Sequence, residues 1–267
     1  MQAWNIRQNI DYLLALRDQL GPVYGSEDLC MLFYSMVRRE QPRVVVELGT
    51  GFGATTAWIA TALKELGEGR IYTFDNGSHF QDASVRTFLS QLSGPLHDLA
   101  RLSQTDSYEA CMAWIFDRAD VADRVQFVKG DIDFHPHAVE AVAQGAKIDL
   151  LFSDFNHTPK TIIQLLGAYL AHMNTTSSIY IDSASTYLPS YWMLDNLVRM
   201  LNAKRIPAAL RQGLDGDQLT ALDELVDKCS FQLVHLVEKA PRSQNSTAWM
   251  RIAPDDLFPA HAAHVRT

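Results

Sequence analysis

Three glycines stand at alternate positions in one short turn of the sequence, which reads Glu47-Leu48-Gly49-Thr50-Gly51-Phe52-Gly53. Glycine has no Cβ, so the backbone of such a turn can approach a ligand closely and adopt positive φ angles. The helix expected to begin near Ala54 would add free N–H groups and the positive end of its dipole. We therefore predict a site for a nucleotide-like ligand at Glu47, Gly49, Thr50, Gly51 and Gly53.

Two further acids end later segments that are expected to be strands. Asp75 follows the apolar run Arg70–Phe74, and a carboxylate in that position can accept hydrogen bonds from both ribose hydroxyls of an adenosine. Asp131 and Ile132 follow the run Val125–Val128. Asp131 could accept from an adenine amino group while Ile132 packs on the ring, or Asp131 could instead cap the next helix.

The glycine spacing separates several kinds of nucleotide site. Dinucleotide-binding dehydrogenases prefer GxGxxG, whereas this turn has ExGxGxG, and the GxxxxGK[ST] pattern of a P-loop does not occur. Glu47 suits a cationic amino group better than a pyrophosphate. An NAD(P)-dependent oxidoreductase on a similar sheet remains an alternative, although no tyrosine is followed four residues later by lysine.

Strands and helices alternate through most of the chain, and this predicts an α/β fold. Continuous apolar strands separated by helices indicate a Rossmann-like, doubly wound, mostly parallel sheet with helices on both faces. Phe231–Val237 and Ser246–Ile252 are expected to add an antiparallel pair at the C-terminal end. The other expected strands are Arg43–Leu48, Arg70–Phe74, Val125–Val128, Ile148–Ser153 and Ser178–Ile181, and the helices between them include Ala54–Leu66, His137–Ala143, Pro159–His172 and Tyr191–Asn202.

Three segments lie outside this alternation. Residues 1–42 are expected to form a helical extension, with one helix over Ile6–Leu20 that stops at Gly21-Pro22 and a second from Ser26 to about Glu40. Residues from about 78 to 121 are too many for a simple crossover and are predicted to be a helical insertion or lid. Residues 253–267 are expected to be a loosely held tail after the main domain of residues 43–252.

Composition narrows the classes of partner. The chain has 267 residues, 47% of them hydrophobic, and a formal net charge of −8, which disfavours binding to the nucleic-acid backbone.

Cys30, Cys111 and Cys229 are far apart and form no CxxC pair, so neither a disulfide framework nor a cysteine zinc site is expected. We expect neither a secretion signal in Met1–Leu20 nor a membrane span, and hence a cytoplasmic protein.

The strand-end motifs resemble those of a known family. Val44–Gly53 resembles motif I of the class I S-adenosylmethionine-dependent methyltransferases, Ile71–Asp75 resembles their second motif and Gly130–Ile132 their third. The antiparallel C-terminal pair also matches that fold. The resemblance implies S-adenosylmethionine as cofactor, whereas it says little about the methyl acceptor. A non-catalytic S-adenosylmethionine-binding scaffold is the other alternative, since retained cofactor residues do not prove turnover.

A narrower similarity concerns Ile148–His157. This segment resembles the strand that ends in Asp-Gly-Asp-His in small-molecule O-methyltransferases of the macrolide-sugar and catechol types. Relatives there often bind a divalent cation, which implies Asp154 and Asp182 as candidate ligands for Mg²⁺. This chain departs from the pattern, because Phe155-Asn156 replaces Gly-Asp and Ser183 stands where the catechol type has Asn.

These features suggest how methyl transfer would proceed. The acceptor oxygen or nitrogen must be aligned with the departing sulfur and kept from water. His157 is the candidate general base, or a histidine that holds loop backbone. Asp154 and Asp182 would bind the metal or accept hydrogen bonds that orient the nucleophile, and Asp154 would also contact the cofactor.

Two sets of aromatic residues and histidines have further expected roles. The residues expected to line an acceptor site, or else to belong to the core, are Tyr187, Tyr191 and Trp192. The residues of the insertion expected to close over the cofactor or the substrate are His79, Phe80, Tyr108 and Trp114.

The acceptor is expected to be a small molecule, in keeping with a role in specialised metabolism. The acidic net charge and the large insertion both favour a small acceptor over RNA or a basic protein tail. The two N-terminal helices would either close over the site or form the contact of a homodimer.

Overall fold

The computed structural model describes residues 7, 9–24, 27–132, 134, 145–238 and 246–257. The chain divides into two compact units, Met1–Ile132 and Asp133–Thr267. The expected helix His137–Ala143 and most of the expected tail lie outside the described residues. Within them, no helix has both the length and the apolar character that crossing a membrane would require.

The first unit contains three parallel strands in the order β3-β2-β1. Their register pairs Val46 with Tyr72 and Thr73 with Phe127. All five residues of β1 are buried, as expected for a central strand covered on both faces. The elements of this unit are α1 (Ile10–Tyr24), α2 (Glu27–Glu40), β1 (Val44–Leu48), α3 (Ala54–Leu66), β2 (Arg70–Asp75), α4 (Ala83–Leu89), α5 (His97–Thr105), α6 (Tyr108–Arg118) and β3 (Val125–Lys129).

The first helix does not stop where the sequence suggested. The expected end at Gly21-Pro22 is wrong, since α1 continues through both residues to Tyr24. Leu13, Leu16 and Leu20 are completely or almost completely buried, so tertiary packing supports the helix despite the proline. Gly21 serves close packing instead: a Cβ added to it would lie 2.8 Å from the Cα of Glu27 in α2.

The predicted insertion is helical. It contains α4, α5 and α6 together with short 3₁₀ turns at Ser78–Gln81, Gly94–Leu96 and Ala122–Arg124. Ser107 caps α6 by accepting a hydrogen bond from the Ala110 N–H. Trp114 of α6 contacts Tyr12 of α1 edge-on, with 6.0 Å between the ring centroids, and its role in a lid stays a prediction.

The second unit contains a parallel pair followed by two antiparallel strands, in the order β4-β5-β7-β6. The antiparallel C-terminal pair predicted from the sequence is therefore confirmed, as is the mostly parallel, Rossmann-like α/β class. The elements of this unit are β4 (Ile148–Ser153), α7 (Pro159–Tyr169), β5 (Met173–Asp182), α8 (Leu188–Asn202), α9 (Gly216–Lys228), β6 (Cys229–Val237) and β7 (Ser246–Pro254).

Local sequence signals account for several element ends in this unit. Thr158 caps α7 and Pro159 occupies its first turn, where a missing N–H costs nothing. Helix α9 was not foreseen, although Asp215 and Gln218 form a capping box at its start. Cys30, Cys111 and Cys229 are all free and buried.

Candidate functional site: the strand ends of the two units

The glycine turn follows β1 and has the backbone that its composition predicts. Gly49, Gly51 and Gly53 have φ angles of 98°, 53° and 71°, which residues with a Cβ rarely adopt. The Gly49 N–H donates to the Phe74 carbonyl of β2 at 2.9 Å, and the Gly53 N–H donates to the Thr50 carbonyl at 2.8 Å. The turn is thus anchored to the neighbouring strand just before α3 begins.

Glu47 lies at the base of this turn and is only 1% exposed. Its Oε2 accepts hydrogen bonds from the hydroxyls of Thr73, at 2.6 Å, and of Thr56. Its buried Oε1 has no hydrogen-bond partner among the described residues. Burial raises the pKa of Glu47 to about 7, although the two threonine hydroxyls act in the opposite direction.

Asp75 joins the end of β2 to the glycine turn. Its Oδ2 accepts from the Gly51 N–H at 3.0 Å and its Oδ1 from the Gly77 N–H at 2.7 Å. The Nδ1 of His79 lies 3.7 Å from the same Oδ1. Burial lowers the pKa of His79, against the opposing effect of the Asp75 charge. An ionised carboxylate offers about four acceptor positions, so Asp75 can also accept from a ligand hydroxyl.

Asp131 and Ile132 follow β3 at the same edge of the first unit. The Asp131 side chain is exposed and accepts from the Asn76 amide at 2.9 Å, while Ile132 is half-buried. Asn76 directly follows Asp75, so this bond links the ends of β2 and β3. The proposed alternative role of Asp131 as a helix cap depends on residues 135–144, which lie outside the described residues.

These residues fit an adenosine-like cofactor with a cationic amino group. The unpartnered Oε1 of Glu47 is a buried acceptor beside the turn. The backbone of the turn lacks Cβ atoms at three positions, and Asp75 and Asp131 stand at the two following strand ends. The structure therefore brings together, within one unit, the candidate cofactor residues of the three separate motifs, whereas Asp154, which was also predicted to contact the cofactor, lies in the second unit.

Asp182 ends β5 in the second unit. The Ser183 hydroxyl donates to its Oδ2 at 2.8 Å, and the Thr247 hydroxyl of β7 lies 3.5 Å from its Oδ1. Burial raises the pKa of Asp182 to about 6, and the hydrogen bonds from Ser183 act in the opposite direction. Ser183 itself has a φ of +57°, an uncommon conformation for a residue with a side chain.

Asp154 and His157 follow β4, and both are half-buried. The His157 ring contacts Tyr187 edge-on, with 5.7 Å between the ring centroids. The backbone of His157 is held through its carbonyl, which accepts from the Ser190 hydroxyl of α8. Both interpretations of His157, as the general base and as a histidine that holds loop backbone, stay predictions.

The candidate metal site is not a dense cluster. Among the described residues, no group of three or more His, Cys, Asp or Glu side chains could hold a metal ion. Asp154 and Asp182 alone would leave the remaining positions of an octahedral Mg²⁺ to water or acceptor oxygens. The Mg²⁺ site therefore stays a prediction.

Sequence reasoning missed His235 of β6. Its ring stacks on Tyr191 of α8 with 4.1 Å between centroids, and its Nδ1 lies 2.7 Å from the Ser185 hydroxyl. Burial lowers the pKa of His235. The sequence signal was weak, because a single histidine within an apolar strand is not distinctive before the strand order is known.

Comparisons with known proteins agree with this geometry. Residues 46–184, just over half of the chain, match the model of a family described as "Methyltransferase domain". No match was found among curated proteins. The O-methyltransferase TomG from Streptomyces achromogenes, involved in tomaymycin synthesis and solved with SAM, is 15% identical, with 90% of this chain and 89% of that chain covered and a TM-score of 0.50.

Two other solved structures are similar at lower TM-scores. An O-methyltransferase from Bacillus cereus in complex with SAH is 15% identical over 90% of each chain, with a TM-score of 0.48. A methyltransferase from Geobacter sulfurreducens is 15% identical over 90% of this chain and 89% of that chain, with a TM-score of 0.47. At these identities the structural likeness bears on the fold alone, and the family model carries the assignment. The chain belongs to the methyltransferase domain family, and it is an S-adenosylmethionine-dependent methyltransferase.

Proposed function

We propose that this enzyme methylates an oxygen or nitrogen of a small, flat, partly apolar acceptor that binds at the strand ends of the second unit. When bound, S-adenosylmethionine supplies an electrophilic methyl group on a sulfonium, which a nucleophile displaces in line. The second unit then has to bind the acceptor, orient its nucleophilic atom and take up its proton. A role in specialised metabolism is part of this proposal.

The observation that carries the proposal is the distribution of exposed apolar side chains. Four of the seven large hydrophobic residues exposed in the described part of the chain lie just after β4 and β5: Phe155 (51%), Tyr187 (43%), Leu188 (57%) and Trp192 (61%). Substrates of α/β enzymes bind outside the carboxyl ends of the strands. Apolar surface concentrated there suits an aromatic or heterocyclic acceptor.

His157 is the proposed general base. Its backbone is held by Ser190 and its ring contacts Tyr187, so the imidazole has a defined position beside the apolar residues. A neutral imidazole can accept a proton from a hydroxyl as the methyl group is transferred. The tautomer is set by whichever ring nitrogen the acceptor contacts.

Asp182 is proposed to orient the acceptor. Its carboxylate is held by Ser183 and Thr247, and it has capacity for a further hydrogen bond from an acceptor hydroxyl or amine. Asp154 follows the neighbouring parallel strand and is proposed for the same function or, with Asp182, for binding Mg²⁺.

The test is a methyl-transfer assay with radiolabelled S-adenosylmethionine. The panel includes phenols, hydroxylated heterocycles and amines, with transfer RNA and basic peptides as macromolecular comparisons. We expect label in small molecules only. His157→Gln should then lower kcat by about 10²–10⁴-fold, the usual contribution of a positioned base, with unchanged affinity for S-adenosylhomocysteine.

The exposed His97 provides the matched control, since His97→Gln removes an imidazole from α5 in the first unit. Labelling of the macromolecules, or full activity of His157→Gln, would contradict the proposal. Binding of S-adenosylhomocysteine without methylation of any acceptor in the panel would also contradict the proposed acceptor class.

A further inference from the structure

Tyr108 connects the insertion to the cofactor turn. This tyrosine is the first residue of α6 and is only 2% exposed. Its hydroxyl donates a hydrogen bond of 2.6 Å to the carbonyl of Gly51, which lies 57 residues earlier in the chain. The central glycine of the turn is therefore in contact with an element that the methyltransferase motifs do not include.

Gly51 is held on both sides by this arrangement. Its N–H donates to Asp75 at 3.0 Å, and its carbonyl accepts from Tyr108. Because these two groups flank the same Cα, the two bonds together restrain the φ and ψ angles of Gly51. Glycine loses more conformational freedom on ordering than any other residue, so such a restraint matters most here.

The Tyr108 ring has little freedom to move. A Cβ added to Gly77 would lie 2.4 Å from its Cδ1, so the ring packs directly on the Gly77 backbone. His79 and Phe127 contact the ring edge-on, with centroid distances of 5.2 and 5.5 Å. The hydroxyl is thus presented to Gly51 by a ring that is fixed on several sides.

Helix α6 also supports the third glycine of the turn. A Cβ added to Gly53 would lie 3.1 Å from Cε1 of Phe116 and 3.3 Å from the sulfur of Met112. Phe116 and Met112 are both buried. One face of α6 therefore packs against two of the three glycines that bind the cofactor.

We propose that Tyr108 is a positioning residue for S-adenosylmethionine, and that α6 is a fixed support of the glycine turn. The Tyr108 hydroxyl holds the Gly51 carbonyl and so keeps the Gly51 N–H bonded to Asp75, the carboxylate that accepts from the ribose. The turn is then ordered before the cofactor arrives, and binding does not have to order it. This inference concerns the first unit and is independent of the acceptor.

The test compares Tyr108→Phe with Tyr34→Phe in the full-length chain. Tyr34 of α2 is a matched control, because its hydroxyl also makes a long-range hydrogen bond, to the Glu65 carboxylate at the end of α3 that lies away from the glycine turn. Affinity for S-adenosylhomocysteine is measured by calorimetry. Hydrogen–deuterium exchange of residues 49–53 is measured without ligand, and kcat and KM for S-adenosylmethionine are determined once an acceptor is known.

We expect Tyr108→Phe to weaken binding of S-adenosylhomocysteine by roughly three- to tenfold, the range for one lost hydrogen bond. Exchange in the turn should become faster, and KM should rise with kcat unchanged at saturation. Tyr34→Phe should change none of these, even if it lowers the unfolding temperature equally. Wild-type affinity and wild-type exchange of the turn in folded Tyr108→Phe would overturn the proposal, as would an equal loss of affinity in Tyr34→Phe.

Discussion

Glu47 is a buried carboxylate whose two oxygens have different surroundings. One carboxylate oxygen joins α3 and β2 through Thr56 and Thr73, and the other has no hydrogen-bond partner among the described residues. Burial makes the ionised form costly, which is why the pKa of Glu47 is raised to about 7. A cationic group of the cofactor beside this carboxylate would favour its ionised form. The same burial would strengthen the attraction between the two opposite charges.

The raised pKa predicts how the stability of the ligand-free enzyme depends on pH. Between about 4.5 and 7, the folded state keeps a proton on Glu47 that the unfolded state has lost, so stability falls as the pH rises through this range. A change from 4.5 to about 7 corresponds to roughly 3 kcal/mol. Glu47→Gln should remove this dependence. The free energy of unfolding of the variant, relative to that of the wild type, should therefore increase from pH 5 to pH 8.

Urea unfolding at four pH values measures this difference. Asp182→Asn is a useful comparison, because the pKa of Asp182 is raised only to about 6. The change that this variant causes in the pH dependence of stability should therefore be complete at a lower pH than the change caused by Glu47→Gln. Parallel stability curves for the wild type and Glu47→Gln would show that Glu47 does not titrate in this range.

At the scale of elements, the start of α8 has the character of a binding surface. Tyr187 precedes the helix, Leu188 is its first residue, and Trp192 follows one turn later. All three are exposed, whereas Leu194, Leu197 and Leu201 of the same helix are buried. One end of α8 therefore packs against the unit while the other end presents apolar surface at the strand ends.

This surface predicts a specific kinetic effect of Trp192→Ala. Loss of a large apolar contact should raise KM for the acceptor by about tenfold, since partial burial of an aromatic side chain contributes on the order of 1–2 kcal/mol. Affinity for S-adenosylhomocysteine and the unfolding temperature should change little, because the side chain is 61% exposed without the acceptor.

Met31→Ala removes a similarly exposed apolar side chain, 51% accessible, from α2 and should leave the acceptor KM unchanged. An unchanged KM in Trp192→Ala would exclude this part of α8 from acceptor binding.

At the scale of the whole molecule, cofactor binding should couple to stability. A ligand that binds only the folded state, present at a free concentration 100 times its Kd, raises the free energy of unfolding by about 2.7 kcal/mol. For a chain of 267 residues, S-adenosylhomocysteine should then raise the unfolding temperature by about 5–10 °C. NADH at the same concentration should have no effect, since the turn has ExGxGxG and not GxGxxG.

Thermal unfolding followed by circular dichroism measures this shift. Asp75→Asn should reduce it, because the carboxylate holds the Gly51 N–H and is proposed to accept from the cofactor. An equal shift with NADH would argue against a selective S-adenosylmethionine site.

Much of this protein could be predicted from its sequence because the relevant signals are local. Apolar runs predicted all seven described strands, with errors mainly at their ends, and the glycine spacing predicted the positive φ angles of the turn. Acids at the ends of successive parallel strands predicted the candidate cofactor residues, since such strand ends meet at one edge of a sheet. Each of these inferences needs only a few neighbouring residues.

Only the tertiary structure decided the features that join distant residues. The continuation of α1 through Pro22 depends on packing that outweighs the local preference of proline. The stacking of His235 on Tyr191 depends on the packing of α8 on β6. The bond from Tyr108 to Gly51 spans 57 residues, and no local pattern encodes it. Sequence patterns identify which residues can bind a cofactor, whereas long-range packing determines which other residues hold them in place.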